Sequence, residues 1–584
     1  MKSKNIGSKG QVFENTLFYI FVIANLLPLL FSYYVGSLDG PKYLQIANII
    51  KELWKGNELF SSYFELSPIY TANIFSNYSL AIMRFFLPAW LSEKLLLVFY
   101  VLLLTTGFRY LILSIVKRPG IGIFFIFPFT YTSLFLMGYY NYSIAFGFLF
   151  YTVGFYLRKS GEMNWKSTVI LAILILMVYY SHFFVFGFLL AILGALALHK
   201  MFSAIYIRKT WMNDSQLTGV FRLLLASIPS LLLTIPYLKL LLIQPVSEGG
   251  NAFDPFAFLT SFRILVGFVQ EEEIHLTSFL FWILSGFTLF QLGRIIYSII
   301  RNRNSLNVLA IIESQKFPWS ILVLVFFGLY IFMPNNLNGS GNILPRILIL
   351  SIYLLLIWLS INKTHFTVSI LILSSILYFT ISLYPIHIKY RKQLDKMIIK
   401  IKNIEYLIPP NSVILSRTFL DSWNTYHFQA YIGTDKPYVN INSQAISPLF
   451  AVRWKNERPR TFLGSELTDG YSLYLNMPDA KTKAIAEYVT VVGEWGFNDL
   501  PVTDPFKTIV LRDYTKQNDE NNIIVDLFKL NANRSIDSIG HELLRNENSY
   551  RKLEEKASTT HISLEDLALR EALEVYKQSK QIAE

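Results

Sequence analysis

Apolar residues come in long unbroken runs over the first two thirds of this chain and in short, interrupted ones afterwards. The runs fall at Asn15–Val35 and at about 95–116, 121–138, 141–158, 167–181, 183–198, 222–242, 276–298, 317–333, 346–361 and 366–386. A hydrocarbon core of about 30 Å is crossed by roughly 20 apolar residues in a helix. The pattern therefore predicts a polytopic α-helical membrane protein with about eleven transmembrane helices, several of them short. Short spans meeting near one face often border a cavity. A twelfth apolar stretch, Tyr70–Trp90, is read as a re-entrant or interfacial hairpin, because a span there would break the charge pattern described next.

Charge changes the picture by giving a direction. Of 52 basic and 40 acidic residues, 26 of each lie from Ile388 onward, so residues 1–387 carry the whole excess as 26 basic against 14 acidic. That excess sits in alternate connections: Lys117-Arg118, Arg158-Lys159 with Lys166, His199-Lys200 through Arg208-Lys209, Arg301 with Arg303, and Lys363. The intervening connections carry few basic residues. By the positive-inside rule the N-terminus is expected in the cytoplasm, with the first run an uncleaved anchor, and residues 388–584 outside. At 53% hydrophobic and 16% charged, the chain has too few charges to cover a soluble protein, which is typically about 25% charged. The absence of cysteine excludes disulfide scaffolds and Cys-ligated metal centres. Basic residues beside apolar spans do not make a nucleic-acid surface, and no nucleic-acid partner is expected.

The long first external loop, about 36–94, is the most informative segment. Gly40 or Asp39 caps a helix that Pro41 opens. Tyr43, Ile46, Ala47, Ile50, Leu53 and Trp54 then form one apolar face, with Lys42, Lys51, Glu52 and Lys55 on or near the other. This predicts a helix lying in the membrane interface. Asp39 is then held at the membrane surface, as a plain cap or as a functional acid.

An acid just after the first span, followed by a helix in a long first external loop, resembles the GT-C superfamily of integral-membrane glycosyltransferases. Asp39-Gly40-Pro41 with Ala47, Leu91-Ser-Glu-Lys94, Gly107-Phe-Arg-Tyr110, Gly138-Tyr-Tyr-Asn141, Ser181-His182 and Leu337…Gly341…Arg346 look like a bacterial branch of that group. The layout covers most of residues 15–390, and Tyr43 stands where the resemblance leads one to expect histidine. The resemblance implies a GT-C-like membrane domain in a bacterial inner membrane. It also implies a polyprenyl-phosphate-linked sugar as donor and a lipid, glycan or protein acceptor on the extracytoplasmic face. Carried over to the matching position, it makes Asp39 the catalytic base; Glu65, in Phe64-Glu-Leu-Ser-Pro68 of the same loop, is a possible second acid or an exposed loop charge.

A departing phosphate calls for a positioned cation, and Arg346, where the loop Asn335–Pro345 enters a span, suits it through its planar fork. His182 and Asn141 interrupt apolar runs on the same external level and are candidate substrate contacts. The alternative for each is a structural role. Gln270-Glu-Glu-Glu-Ile-His275 is a solvated helix start rather than a metal site; no metal or other cofactor is expected.

Residues 388–584 predict a small extracytoplasmic α/β domain, with strands at Val413–Ser416, Ala430–Ile432, Tyr488–Val492, Thr508–Leu511 and Ile523–Leu530 and helices at Ser538–Glu555 and Ser563–Lys577. Trp423 and His427, in the segment Asp421–His427, with Arg453–Lys455, are groups that can hold a sugar acceptor. No nucleotide, phosphate-loop or hydrolase motif occurs. A non-catalytic GT-C-like scaffold in an envelope assembly, or a transporter or flippase for a lipid-linked glycan, remain open alternatives.

Overall fold

In apolar surroundings a helix satisfies its backbone N–H and C=O groups internally, and long apolar runs fold accordingly. The computed structural model describes residues 2–209, 215–243, 254–301, 308–335, 342–420, 422–441, 446, 449–456, 486–493, 510, 514–518, 524–531, 547–560, 563–564, 567–568 and 571. In chain order the helices begin with α1 (Lys2–Ala24), α2 (Leu27–Leu30), α3 (Gly40–Trp54), α4 (Glu58–Tyr63), α5 (Phe75–Met83) and α6 (Ala89–Ile115). Next come α7 (Ser133–Leu136), α8 (Tyr140–Lys159), α9 (Trp165–Ser181), α10 (Phe183–Phe202), α11 (Ser215–Ile243) and α12 (Pro255–Thr260). The series continues through α13 (Gln270–Arg301), α14 (Val308–Glu313), α15 (Phe317–Phe332), α16 (Ile343–Ile361) and α17 (Phe366–Lys402).

Among the described residues, seven helical stretches are long and apolar enough to cross a membrane: Val12–Leu30, Ala89–Ile115, Phe183–Ile207, Ser215–Ile243, Gln270–Arg301, Ile343–Ile361 and Phe366–Leu407. Ile121–Leu136, Trp165–Ser181 and Phe317–Phe332 are apolar but shorter. The chain is thus a multi-pass, mainly helical protein with a C-terminal sheet region. One expected span differs in kind. Residues 121–138 form 3-10 turns at Ile121–Ile126 and Pro128–Thr130 followed by the single turn of α7. Pro128 lacks the N–H a continuing helix would use, so high hydropathy here does not mean a long helix. Tyr70–Trp90 holds only α5, nine residues or about 14 Å, too short to cross.

The chain divides into two compact units. The first comprises Met1–Tyr43, Ser67–Asp395 and Pro448–Ala451. Its centre is α6, α8 and α16, the last buried along its length from Ile343 to Ile361 except at Arg346 and Leu355. Glycine lets α6 and α8 approach closely: a Cβ on Gly107 would lie 2.9 Å from the carbonyl oxygen of Gly147. Arg109 of α6 grips Glu14 of α1, Nη1 to Oε1 at 2.5 Å and Nη2 to Oε2 at 3.1 Å. Around this centre α11, α13, α15 and α17 turn Leu232, Trp282, Leu324 and Leu371 outward, each more than half exposed. So broad an apolar surface is stable against lipid and not against water.

The second unit comprises Leu44–Leu66, Lys396–Ser447 and Val452–Glu584. Its strands are β1 (Phe64–Leu66), β2 (Ser412–Phe419), β3 (Tyr438–Asn440), β4 (Val452–Trp454), β5 (Tyr488–Gly493), β6 (Tyr514–Lys516) and β7 (Val525–Leu530). The main sheet runs β3-β2-β5-β7-β6. β2 is parallel to β3 and β5, with Ser412 opposite Tyr438 and Ile414 opposite Tyr488, while β7 is antiparallel to β5 and β6. β2 is buried from Ser412 through Arg417, as a strand flanked by parallel neighbours should be. β1 and β4 pair separately, antiparallel. The strand expected at Ala430–Ile432 is instead a 3-10 turn, Phe428–Tyr431. Of the one expected at Thr508–Leu511, only Val510 lies among the described residues. A helix covers Glu547–Thr560; the start of the expected Ser538–Glu555 helix and most of Ser563–Lys577 lie outside the described residues.

The helix expected after Asp39 is present as α3, and the face opposite its apolar one is largely covered by protein. Lys51 and Glu52, assigned to that face, are each only 6% exposed. Lys51 pairs with Glu52 at 3.2 Å, and Asn48 donates to the carbonyls of Gly433 and Lys436. These partners lie far along the chain, so local periodicity read the helix correctly and its surroundings wrongly.

Candidate functional site

Asp39 is fixed by four short segments that are remote in sequence. Its backbone N–H donates to the Met137 carbonyl at 3.0 Å, and its own carbonyl accepts from Lys42 and Tyr43, opening α3. Gly138 makes the first contact possible. It sits at φ +87°, and a Cβ there would lie 2.8 Å from the backbone nitrogens of both Asp39 and Gly40. Gly40 is similarly constrained, since a Cβ would stand 2.6 Å from Glu93 Oε1 and from the Tyr140 hydroxyl. Beneath it runs a buried relay: Gly40 N–H donates to Ser37 Oγ, Ser37 Oγ meets Tyr140 Oη at 2.6 Å, and Tyr140 donates to Glu93 at 2.6 Å. The segment preceding Gly36 is clamped too. Asp395 accepts from the N–H groups of Tyr33 and Tyr34, Lys94 donates to the Ser32 carbonyl and Arg391 to that of Val35.

The Asp39 carboxylate itself keeps 23% exposure and pairs with Lys42 Nζ at 3.1 Å. Beside it stands Tyr43, its ring stacked on Tyr140 at 5.2 Å. Burial pushes the Tyr43 phenol well above its ordinary value and the negative charge of Asp39 adds to this, while the Asn141 backbone amide and Arg346 oppose it. Asp39 and Arg346 therefore act on the same hydroxyl. Arg346, in the first turn of α16, lies over the Tyr139 ring at 5.5 Å and the Phe184 ring at 5.9 Å. Its carbonyl accepts from Tyr142 at 2.9 Å, and the Tyr142 ring meets His182 edge to face at 5.1 Å. Burial, and secondarily the charge of Arg346, holds the His182 imidazole well below its usual value, so it is neutral at physiological pH. His182 Nδ1 is buried without a hydrogen-bond partner among the described residues.

A partly exposed carboxylate, an aromatic-walled guanidinium and a neutral imidazole with an unused nitrogen thus lie along one wall of the first unit. Chemically, such a group can accept a proton at Asp39 and hold an anion at Arg346. Asn141 belongs to this region but differently: its side chain accepts from the Ser76 N–H at 2.7 Å and donates to the Asn73 carbonyl. Asn73 accepts in turn from Phe183 N–H at 2.8 Å, so Asn141 ties the first loop to α10 and has little left for a ligand. Of the stretch Leu337…Gly341…Arg346, only Arg346 lies among the described residues.

Glu65, Trp423 and His427 belong to the second unit. Glu65 lies on β1 opposite Arg453 and pairs with it at 2.7 Å. Trp423 is 46% exposed, whereas His427 is buried against the Tyr426 ring. Among the described residues no group of three or more histidine or acidic side chains could hold a metal ion. In the segment Gln270–His275, Glu273 turns inward, accepts from Phe268 N–H at 3.1 Å and faces His387 at 3.5 Å.

The aromatic walls Tyr139 and Tyr142 and the clamps Asp395 and Arg391 went unnoticed in the sequence. The motif Gly138-Tyr-Tyr-Asn141 contained Tyr139 and stopped one residue short of Tyr142, and a charged residue just beyond an apolar run was the available signal for the others. No family model matches the chain, and no curated protein matches it.

Proposed function

We propose that the protein is a GT-C-type membrane glycosyltransferase of about eleven spans, with a cytoplasmic N-terminus and residues 388–584 outside a bacterial inner membrane. It takes a sugar from a polyprenyl-phosphate donor and passes it to a lipid, glycan or protein acceptor. The acceptor hydroxyl loses its proton to the Asp39 carboxylate as its oxygen bonds to the anomeric carbon. The bond from that carbon to the phosphate oxygen breaks, and the lipid phosphate leaves. Arg346 takes the growing phosphate charge, and neutral His182 donates one N–H to it. What supports this is that the charges of Asp39 and Arg346 both act on the Tyr43 phenol and that of Arg346 also on His182, whose ring packs on Tyr142, the donor to the Arg346 carbonyl.

A second reading also has a specific observation behind it. Asp39 is ion-paired to Lys42 and opens α3, which is all that a helix start in a non-catalytic scaffold requires. Asp39→Asn separates the two, since it keeps the shape and the capping ability but removes the base. Under the first reading, transfer falls by about 10²–10⁴, and one sugar disappears from the envelope glycan profile at normal protein abundance. Mass spectrometry of cells carrying the variant, beside the deletion strain, reads this directly. A wild-type profile from a strain whose deletion alters it sinks Asp39 as base and leaves the scaffold.

A further inference from the structure

A cavity of about 570 Å³ lies far from Asp39 in the first unit, lined by Lys117, Arg118, Arg294, Lys316 and Lys363 together with neutral residues and no carboxylate. α16 carries Arg346 in its first turn and reaches this cavity just past its last, at Asn362 and Lys363. The step from Arg346 to Asn362 sets the two regions about 24 Å apart along the helix. The five cations come from four separate places: just after α6, the C-terminal third of α13, the start of α15 and the α16–α17 connection.

Basic residues next to spans are ordinarily solvated and apart, as the positive-inside rule requires of them. Here five of them converge on one open pocket, Lys117, Arg118, Arg294 and Lys363 exposed and Lys316 half-buried, and hydrogen bonds hold its frame. Arg294 Nη1 donates to the Lys363 carbonyl at 2.5 Å, and Gln291 bonds Thr364 Oγ1 at 2.9 Å. Asn362 accepts from Lys316 at 3.4 Å and donates to the Trp358 carbonyl at 2.8 Å. Lys117, Arg118 and Lys363 direct no side-chain hydrogen bond or ion pair to any described residue. Burial, with the like charge of Lys363 adding to it, holds the Lys316 ammonium below its ordinary value. Val116, Ile295 and Ile361 give the same cavity an apolar side.

We propose that this cavity binds a phosphate-bearing anion, held by Lys117, Arg118 and Lys363 against the frame formed by Arg294 and Lys316. Phosphate is the chemistry shared by two sources, the headgroup of an acidic phospholipid and a soluble phosphate compound. Five convergent donors without an acid suit a doubly charged or diester oxyanion, and the volume is that of a small-molecule site. The site is independent of the chemistry assigned to Asp39.

The test uses the full chain in neutral detergent. Thermal unfolding is followed while phosphatidylglycerol, phosphatidylcholine or inorganic pyrophosphate is titrated, with native mass spectrometry counting bound lipid. Wild type is expected to be stabilised saturably by at least one of the two anions and not by phosphatidylcholine. The triple variant K117Q/R118Q/K363Q should need about tenfold more of that anion or greater. Stabilisation by phosphatidylglycerol alone identifies a headgroup, and stabilisation by pyrophosphate identifies a soluble phosphate. Since those three side chains support nothing else described, the variant should fold; Lys117→Gln alone, expected to weaken binding about threefold, serves if it does not. Equal titrations for wild type and variant, or no response to either anion, overturn the proposal.

Discussion

Gly138→Ala tests whether the Asp39 loop is held as described. Gly138 lies at φ +87°, where an L-residue costs about 1–2 kcal/mol. Its new Cβ would lie 2.8 Å from the nitrogens of Asp39 and Gly40 and 3.1 Å from the Asp39 carbonyl carbon. These are backbone atoms, so no side chain can swing aside. Ordinary contact begins near 3.4 Å, so about 0.6 Å must open, which breaks the 3.0 Å bond from Asp39 N–H to Met137. Losing that buried bond adds roughly 1–2 kcal/mol, for a total of about 2–4 kcal/mol. Gly286→Ala is the matched control: Gly286 sits in α13 with nothing within 4 Å of a Cβ, so alanine should stabilise by about 0.5–1 kcal/mol through backbone entropy. Thermal unfolding in detergent, read by loss of the monodisperse peak on size exclusion, orders the three proteins. Gly138→Ala should melt first, wild type next and Gly286→Ala last. A Gly138→Ala protein that melts with wild type would falsify the close approach on which the placement of Asp39 rests.

Three further predictions follow from the same geometry. Asn141→Ala strands the Ser76 N–H and the Asn73 carbonyl, and should cost about 2–3 kcal/mol; an unchanged melting temperature would make Asn141 dispensable to the loop. Arg346→Lys keeps the charge but loses the fork, so donor turnover in proteoliposomes should fall at least about tenfold with little change in melting, and equal rates would remove Arg346 from the donor phosphate. His182 is neutral in the folded protein well below the usual imidazole range. The unfolded chain therefore takes up a proton that the folded one does not, and stability drops as pH falls below about 6.5. Melting of wild type and His182→Asn compared at pH 7.5, 6.5 and 5.5 should show a steeper acid loss in wild type, and parallel slopes would contradict the buried neutral ring.

The seven long apolar helices were legible because each is a local property: a run of apolar residues needs no distant partner to be recognised. What stayed hidden depends on partners remote in sequence. Lys51 and Glu52 were placed on the face opposite the apolar one, and their burial was not legible because Asn48's carbonyl partners at 433 and 436 lie far beyond any local window. The run 121–138 misled for the opposite reason, since averaging its hydropathy concealed the one residue, Pro128, that decides its backbone.

The site divides the same way. Asp39, Arg346 and His182 were visible as polar residues at the ends of apolar runs, whereas the tyrosines that set their spacing looked like ordinary membrane aromatics. Tyr43 is the instructive case. It stands where the resemblance leads one to expect histidine, and a histidine there could relay a proton near neutral pH. The enclosed Tyr43 phenol, pushed well above its ordinary value, holds its proton and can only donate or accept a hydrogen bond. Under the proposed chemistry no relay at position 43 is then open to this protein. The acceptor's proton must pass straight to the Asp39 carboxylate, which requires that carboxylate to be reachable, and its 23% exposure leaves it so. Under that proposal a tyrosine at 43 concentrates the acid–base demand on one residue, and makes Asp39→Asn a sharper test than it would be with a histidine in reserve.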